Sequence, residues 1–121
     1  CKDFGTFSAE SCDYPDYAYK AAKSVASGEC ERGVLVCGTG IGMSIVANKV
    51  KGIRCALCTE EFSARATRQH NDSNVLALGA RVIDAPKAKL LTDIFLTTEF
   101  EGGRHRRRLE KITRIEENAC D

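Results

Sequence analysis

The chain has no tryptophan, a single methionine and two prolines, and aromatic residues make up only 7% of its length. It also lacks a surplus of either charge, with a formal net charge of +1. A near-neutral chain sets up no global field for a nucleic acid or an anionic bilayer, so neither is expected as a partner. No apolar run approaches the ~20 residues needed to cross a membrane, and no secretory signal pattern opens the sequence. What remains is ordinary. At 121 residues, 43% hydrophobic and 29% charged, the chain suits a single domain spanning 1–121 and a cytoplasmic location.

Cysteine is the exception, with seven in this length. The number is odd and the spacing irregular. Several sit inside apolar runs, as in Leu35-Val36-Cys37 and Cys55-Ala56-Leu57-Cys58. This pattern reads as reduced thiols used mostly as small hydrophobes. The Cys55-x-x-Cys58 pair falls inside a predicted strand rather than at a helix start. No second ligand pair accompanies it, so neither a redox motif nor half of a zinc site is expected there.

Along the chain, strands alternate with helices. Pro15 fits the first turn of a helix capped near Asp13 or Tyr14, with Ala18, Ala21, Ala22 and Val25 on one face and Gly28 at its end. Gly33–Cys37 reads as a buried strand, followed by Gly38-Thr39-Gly40-Ile41-Gly42 and a helix from Met43 to Lys49. Ile53–Cys58 is a second strand. Thr59-Glu60-Glu61 then caps a helix reaching about Gln69. Asn74–Leu78 is a third strand, Pro86 opens a helix that buries Leu91, Ile94 and Phe95, and a last helix spans about 106–118. Such alternation predicts an α/β fold whose parallel sheet is covered on both faces, with ligands beyond the C-terminal strand ends.

Three segments carry candidate chemistry. In Cys37-Gly38-Thr39-Gly40-Ile41-Gly42-Met43-Ser44, alternating glycines let the backbone approach a ligand and aim successive N–H groups at one point. The following helix adds its positive end. The spacing fits neither a dinucleotide fingerprint nor a P-loop. A thiol in that setting is favoured as thiolate, suiting a base or nucleophile, although a buried structural cysteine has the same sequence signature. His70, at a helix end beside Asn71, can titrate near neutral pH or simply complement the helix dipole. Gly102-Gly103-Arg104-His105-Arg106-Arg107-Arg108 holds four arginines in five positions, 104–108. Arg104 and Arg108 share a helical face if the helix covers both, and their forks match phosphate oxygens. A solvated basic helix start is the alternative.

The ordered set of Asp13-Tyr14-Pro15 with Tyr17, Cys37–Ser44 with Ala47-Asn48-Lys49, Arg68–Asp72 with Asn74-Val75-Leu76, and Phe100–His105 with Arg108 resembles the B-type ribose-5-phosphate isomerase family. That family also includes galactose-6-phosphate isomerase subunits. The resemblance covers nearly the whole chain. It implies a Rossmann-like three-layer sandwich and reversible interconversion of ribose 5-phosphate and ribulose 5-phosphate without metal or cofactor. It implies a homodimer or a dimer of dimers with shared sites, the 104–121 helix reaching the partner subunit. By the same analogy Cys37 is the base that moves the proton between C1 and C2. Thr39 and His70 assist ring opening. Backbone N–H groups of Gly38, Gly40, Ile41, Gly42, Met43 and Ser44 hold the enediolate, Asn71 orients hydroxyls, and Arg104 and Arg108 grip the phosphate.

One departure stands out. The family opens with a further βα unit carrying a Ser-Asp-His-Ala-Gly-like motif, which has no match here. Cys1–Thr6 looks like the second family strand, and the sole methionine is Met43, so an N-terminally incomplete polypeptide is expected. Isomerisation of a hexose 6-phosphate of allose or galactose type, or a non-catalytic subunit binding one, is the competing reading. A nucleic-acid module built on Arg104–Arg108 is weaker still, lacking interleaved aromatics.

Overall fold

The computed structural model describes residues 1–118, and its elements alternate as the sequence implies. Helix α1 (Tyr14–Ala26) leads to β1 (Gly33–Cys37), α2 (Ile41–Asn48), β2 (Cys55–Leu57), α3 (Glu61–Asn71), β3 (Val75–Gly79), α4 (Ala85–Thr97) and α5 (Arg104–Glu116). The three strands are parallel and ordered β1-β3-β2. β3 is therefore central and all five of its residues are buried. It pairs with β1 from Gly33↔Val75 to Cys37↔Gly79, and with β2 from Cys55↔Val75 to Leu57↔Ala77.

Two apolar clusters make the three layers. On one face Ala18, Ala22 and Val25 of α1 and Met43 and Ala47 of α2 close over Leu35 and Val75. On the other, Ala64 of α3 and Leu91, Ile94 and Phe95 of α4 close over Leu76 and Leu78. The side-chain period of two sends Val75 to the first cluster and Leu76 and Leu78 to the second. This is the parallel α/β arrangement expected from the alternating pattern, and the Rossmann-like three-layer sandwich that the resemblance implies.

Helix ends follow local chemistry. Pro15 stands in the first turn of α1, with Asp13 at the N-cap. Glu60 caps α3 by accepting the Ser63 N–H at 2.9 Å, and Asp84 caps α4 by accepting the Lys87 N–H at 2.9 Å. Hydrogen bonds from Ser63 also hold the Glu60 carboxyl below its ordinary pKa. Helix α2 begins at Ile41 and α5 at Arg104, each two residues earlier than the sequence pattern suggests, because Gly40 and Gly103 adopt the positive φ that starts them. The expected 106–118 helix ends at Glu116. Residues 119–121 of the expected 104–121 segment lie outside the described residues.

One expectation needs correcting. Cys1–Thr6 is not a strand. Residues 1–13 carry no helix or strand and are exposed apart from Phe4. A strand requires a paired neighbour for its backbone groups, and β1 pairs only with β3 among the described residues. The segment is held instead by the Lys2–Glu29 ion pair. Val34 and Val36 on β1 remain exposed at 37% and 51%, so this edge of the sheet is not covered.

The cysteine reading can be tested here. Cys55 lies in β2 and Cys58 just beyond it. Burial pushes their thiols up to about 12 and about 11. Both stay neutral through ordinary pH, and a neutral thiol is a poor nucleophile. Alkylation at pH 8 followed by peptide mass spectrometry should modify exposed Cys1 and Cys12 well before either of them. Separately, Phe95 is fully buried between α4 and the sheet. Phe95→Ala should lower stability by about 3–5 kcal/mol in urea unfolding.

Candidate active site

Parallel strands end together, so Cys37 and Gly79 lie side by side at the C-terminal edge of the sheet. The loop leaving β1 is tied to the chain leaving β3: Ala80 N–H donates to the Cys37 carbonyl at 2.8 Å and Arg81 N–H to the Gly38 carbonyl at 2.9 Å. The contact tolerates no side chain. A Cβ at Gly79 would lie 2.6 Å from the Thr39 backbone, and one at Gly40 would lie 2.5 Å from Leu57 and 2.9 Å from the Leu78 carbonyl carbon. Gly40 also has φ +81°, the left-handed conformation that turns the chain into α2.

That turn brings the Gly40 N–H onto the sulfur of Cys37, at 3.2 Å from Sγ. Cys37 is half-buried, packed on one side against the α1/α2 core. Thr39 is exposed, and its Oγ1 accepts the Ile41 N–H at 3.2 Å. Ser44 donates its N–H to the Gly40 carbonyl at 3.1 Å and its hydroxyl to the Ile41 carbonyl at 2.7 Å. These bonds narrow the cradle expected from Gly38 to Ser44. The amides of Gly40, Ile41 and Ser44 are engaged within the chain, leaving Gly42 and Met43 as first-turn donors with no carbonyl four residues back in the helix. Met43 itself is core, its side chain buried.

Two further residues border this loop. The Arg81 side chain lies over Gly38, its Nε 3.6 Å from where a Cβ would stand, and the Tyr14 ring lies against Gly42. Arg81 escapes sequence reasoning because a lone arginine after a strand carries no pattern. Only the parallel register sets it beside Gly38.

The remaining candidates lie at the other end. Helix α3 runs back along the sheet, so His70 and Asn71 sit ahead of β3, below its N-terminal edge. The five residues of β1 rise about 13 Å, which separates this edge from Cys37. Arg54, just before β2, anchors the turn by donating from Nε to the Asn71 carbonyl at 2.8 Å. Asp72 takes a left-handed φ of 47°, and Arg68, only 4% exposed, holds it there. The Arg68 guanidinium bonds Asp72 at 2.9 Å, the Ser73 carbonyl at 2.7 Å and the Thr98 carbonyl at 3.0 Å. Glu101 N–H donates to the Gln69 carbonyl at 3.1 Å, docking the start of α5 on the end of α3. There the His70 and His105 rings stack with centroids 4.4 Å apart. Burial, with the neighbouring His70 next in weight, lowers the His105 pKa. Arg104 and Arg108 are exposed on α5. One chain thus gathers Cys37, Thr39 and the glycine loop at one edge, and His70, Asn71, Arg104 and Arg108 at or below the other.

A thiol facing an amide donor beside a glycine turn at a helix N-terminus makes one edge of this α/β sheet able to hold an oxyanion, and a stacked histidine pair marks the other. Residues 1–112 match the family described as Ribose/Galactose Isomerase, and the chain belongs to it. It is 53% identical over 115 residues to ribose-5-phosphate isomerase B of Escherichia coli, covering 95% of this chain and 77% of that one. It is 52% identical over 99 residues to D-erythrulose-4-phosphate isomerase of Pectobacterium atrosepticum, covering 82% and 65%. The fold superposes on ribose-5-phosphate isomerase B of Clostridium thermocellum with a TM-score of 0.95 and 53% identity, over 98% of this chain and 80% of that one.

Gly40→Ala should lower stability by at least about 1–2 kcal/mol, the cost of a left-handed non-glycine residue, before its clash with Leu78 is counted. Urea unfolding monitored by circular dichroism measures it.

Proposed function

We propose that the protein interconverts ribose 5-phosphate and ribulose 5-phosphate through an enediolate, with Cys37 as the base. The observation that carries this reading is the Cys37 sulfur, half-buried at a strand end and 3.2 Å from the Gly40 amide in a chain of this family. The thiolate is the form of this side chain that acts as a base, and its sulfur lies within hydrogen-bond reach of the Gly40 N–H. The thiolate takes the C2 proton of the opened aldose, and the electron pair moves through the new C1–C2 double bond onto the C1 oxygen. The Gly42 and Met43 amides receive that charge at the positive end of α2. The C2 hydroxyl then passes its proton to the C1 oxygen, and collapse of the resulting C2 alkoxide to a carbonyl, with return of the first proton from the Cys37 thiol to C1, gives the ketose. No atom is gained or lost, so the reaction needs no redox partner.

Ring opening and phosphate binding call on the other edge. His70 and Thr39 are assigned to proton movement during ring opening, Asn71 to the sugar hydroxyls, and Arg104 and Arg108 to the phosphate. About 13 Å of strand separates the two groups within a chain. The arrangement is therefore read as two half-sites. A two-fold dimer that faces the Cys37 edge of one copy with the His70 edge of another completes both sites at once. Arg81, over Gly38, adds a guanidinium to the Cys37 half.

Cys37→Ala should abolish isomerisation of ribose 5-phosphate while the far-ultraviolet circular dichroism stays native. A loss smaller than about tenfold, or 1.4 kcal/mol, is too little for the removal of the base. Arg104→Ala and Arg108→Ala should raise KM more than they lower kcat. A panel of ribose, allose and galactose phosphates with D-erythrulose 4-phosphate ranks the substrates. Mixing Cys37→Ala with His70→Ala chains, each inactive alone, should restore activity if the sites are shared. A mixture that stays inactive after subunit exchange removes the two-chain arrangement.

A further inference from the structure

Asp72 stands where α3 ends, and two local preferences oppose it there. Its φ of 47° is left-handed, a conformation that helix ends usually give to glycine or asparagine. Its carboxylate also sits at the negative end of the α3 dipole, which favours a cation. A neutral cap would avoid that second cost. What offsets both is a pair of arginines from different parts of the fold. Arg68, buried within α3, donates to Asp72 Oδ1 at 2.9 Å. Arg54, just ahead of β2, approaches Asp72 Oδ2 at 3.4 Å.

The same two guanidinium groups take up three successive carbonyls of the turn. Arg54 donates to those of Asn71 at 2.8 Å and Asp72 at 3.1 Å, and Arg68 to that of Ser73 at 2.7 Å. Arg68 Nε reaches on to the Thr98 carbonyl, at the end of α4, at 3.0 Å. The carboxylate joins the two arginines, one oxygen to each, and closes a brace between α3, α4 and the entry to β2. From this geometry we propose that Asp72 is a positioning residue for the isomerisation. With Arg68 and Arg54 it locks the turn that presents His70 and Asn71 to the sugar. The Asn71 side chain is exposed and His70 is half-exposed, so their direction depends on the backbone that carries them. Stacking on His105 orients the His70 ring only while that turn stays in place. Asp72 itself meets no reacting atom and acts through its two neighbours. The inference rests on the roles proposed for His70 and Asn71. A shift of about 1 Å in such groups is enough to cost about a hundredfold in rate.

Asp72→Asn in the full chain is the test, because asparagine keeps an acceptor and tolerates left-handed φ while removing the charge. With native circular dichroism, kcat for ribose 5-phosphate should fall at least about tenfold while KM changes less than about threefold, since Arg104 and Arg108 still hold the phosphate. A second readout is independent of turnover. The chain has two histidines, so isotope labelling at histidine gives two imidazole signals by NMR, which His70→Ala assigns. The His70 signal should move or broaden in Asp72→Asn, as a role confined to stability would not require. If Asp72→Asn misfolds, Asp72→Gly takes its place, removing the carboxylate and the backbone strain together. A kcat within about twofold of wild type, a loss confined to KM, or an unmoved His70 signal in a folded variant overturns the proposal. If the wild-type chain itself shows no turnover, the isomerase reading fails on its own, and the His70 signal alone decides whether Asp72 sets that residue.

Discussion

The parallel register of β1 against β3 is the constraint on which the rest depends. It sets Cys37 opposite Gly79 and ties the chain leaving each strand to the other through the Cys37 and Gly38 carbonyls. Because Gly79 has no side chain, Thr39 can lie directly on it. Because Gly40 can turn left-handed over Leu78, α2 starts where its first amides face the strand end. The Gly40 contact to Cys37 Sγ is a result of that packing and not of any strong local preference. A side chain at Gly79 or Gly40 would press on backbone or on Leu57, which the close-packed α1/α2 and α3/α4 layers leave little room to absorb.

The same topology explains why the candidate residues divide. In a βαβ unit the helix returns the chain to the start of the next strand, so whatever closes α3 lies at the opposite edge from whatever follows β1. His70 and Asn71 close α3. Arg68, buried and bonded to Asp72, Ser73 and Thr98, with Arg54 on the Asn71 carbonyl, makes that end rigid. Helix α5 is docked beneath the same edge at both ends, through Glu101 N–H on Gln69 and Glu116 on the Gly52 N–H at 2.9 Å. The histidines and arginines therefore form a preorganised surface of their own. In the two-chain arrangement proposed above, a second copy would bring that surface to the thiol.

Much of the architecture was legible in the residues. Gly33–Cys37 reads as a strand from its apolar run and occupies those residues. The buried stripe Leu91, Ile94 and Phe95 follows from helical spacing, and α1 from its proline and alanine face. The errors fall where tertiary contacts override local signals. Ile53–Cys58 carries strand-like residues, but only Cys55–Leu57 pair, because β3 offers register there and Ile53 is drawn into the core as a turn residue. Cys1–Thr6, expected as the second family strand, pairs with no strand among the described residues.

The sequence by itself determined that the chain is α/β and that a glycine loop follows the first strand, and it offered a thiol, a histidine and a run of arginines as candidate reactive groups. These are local properties, written in periodicity and side-chain chemistry. Only the tertiary structure decided which amides of the loop are spent on Cys37, Thr39 and Gly40, and that Arg81 overlies Gly38. It alone brought His70, Glu101 and His105 together, and it put Cys37 and His70 at opposite edges of one sheet. Those outcomes depend on strand order and register, which arise from contacts between residues far apart in the chain and have no counterpart in local spacing.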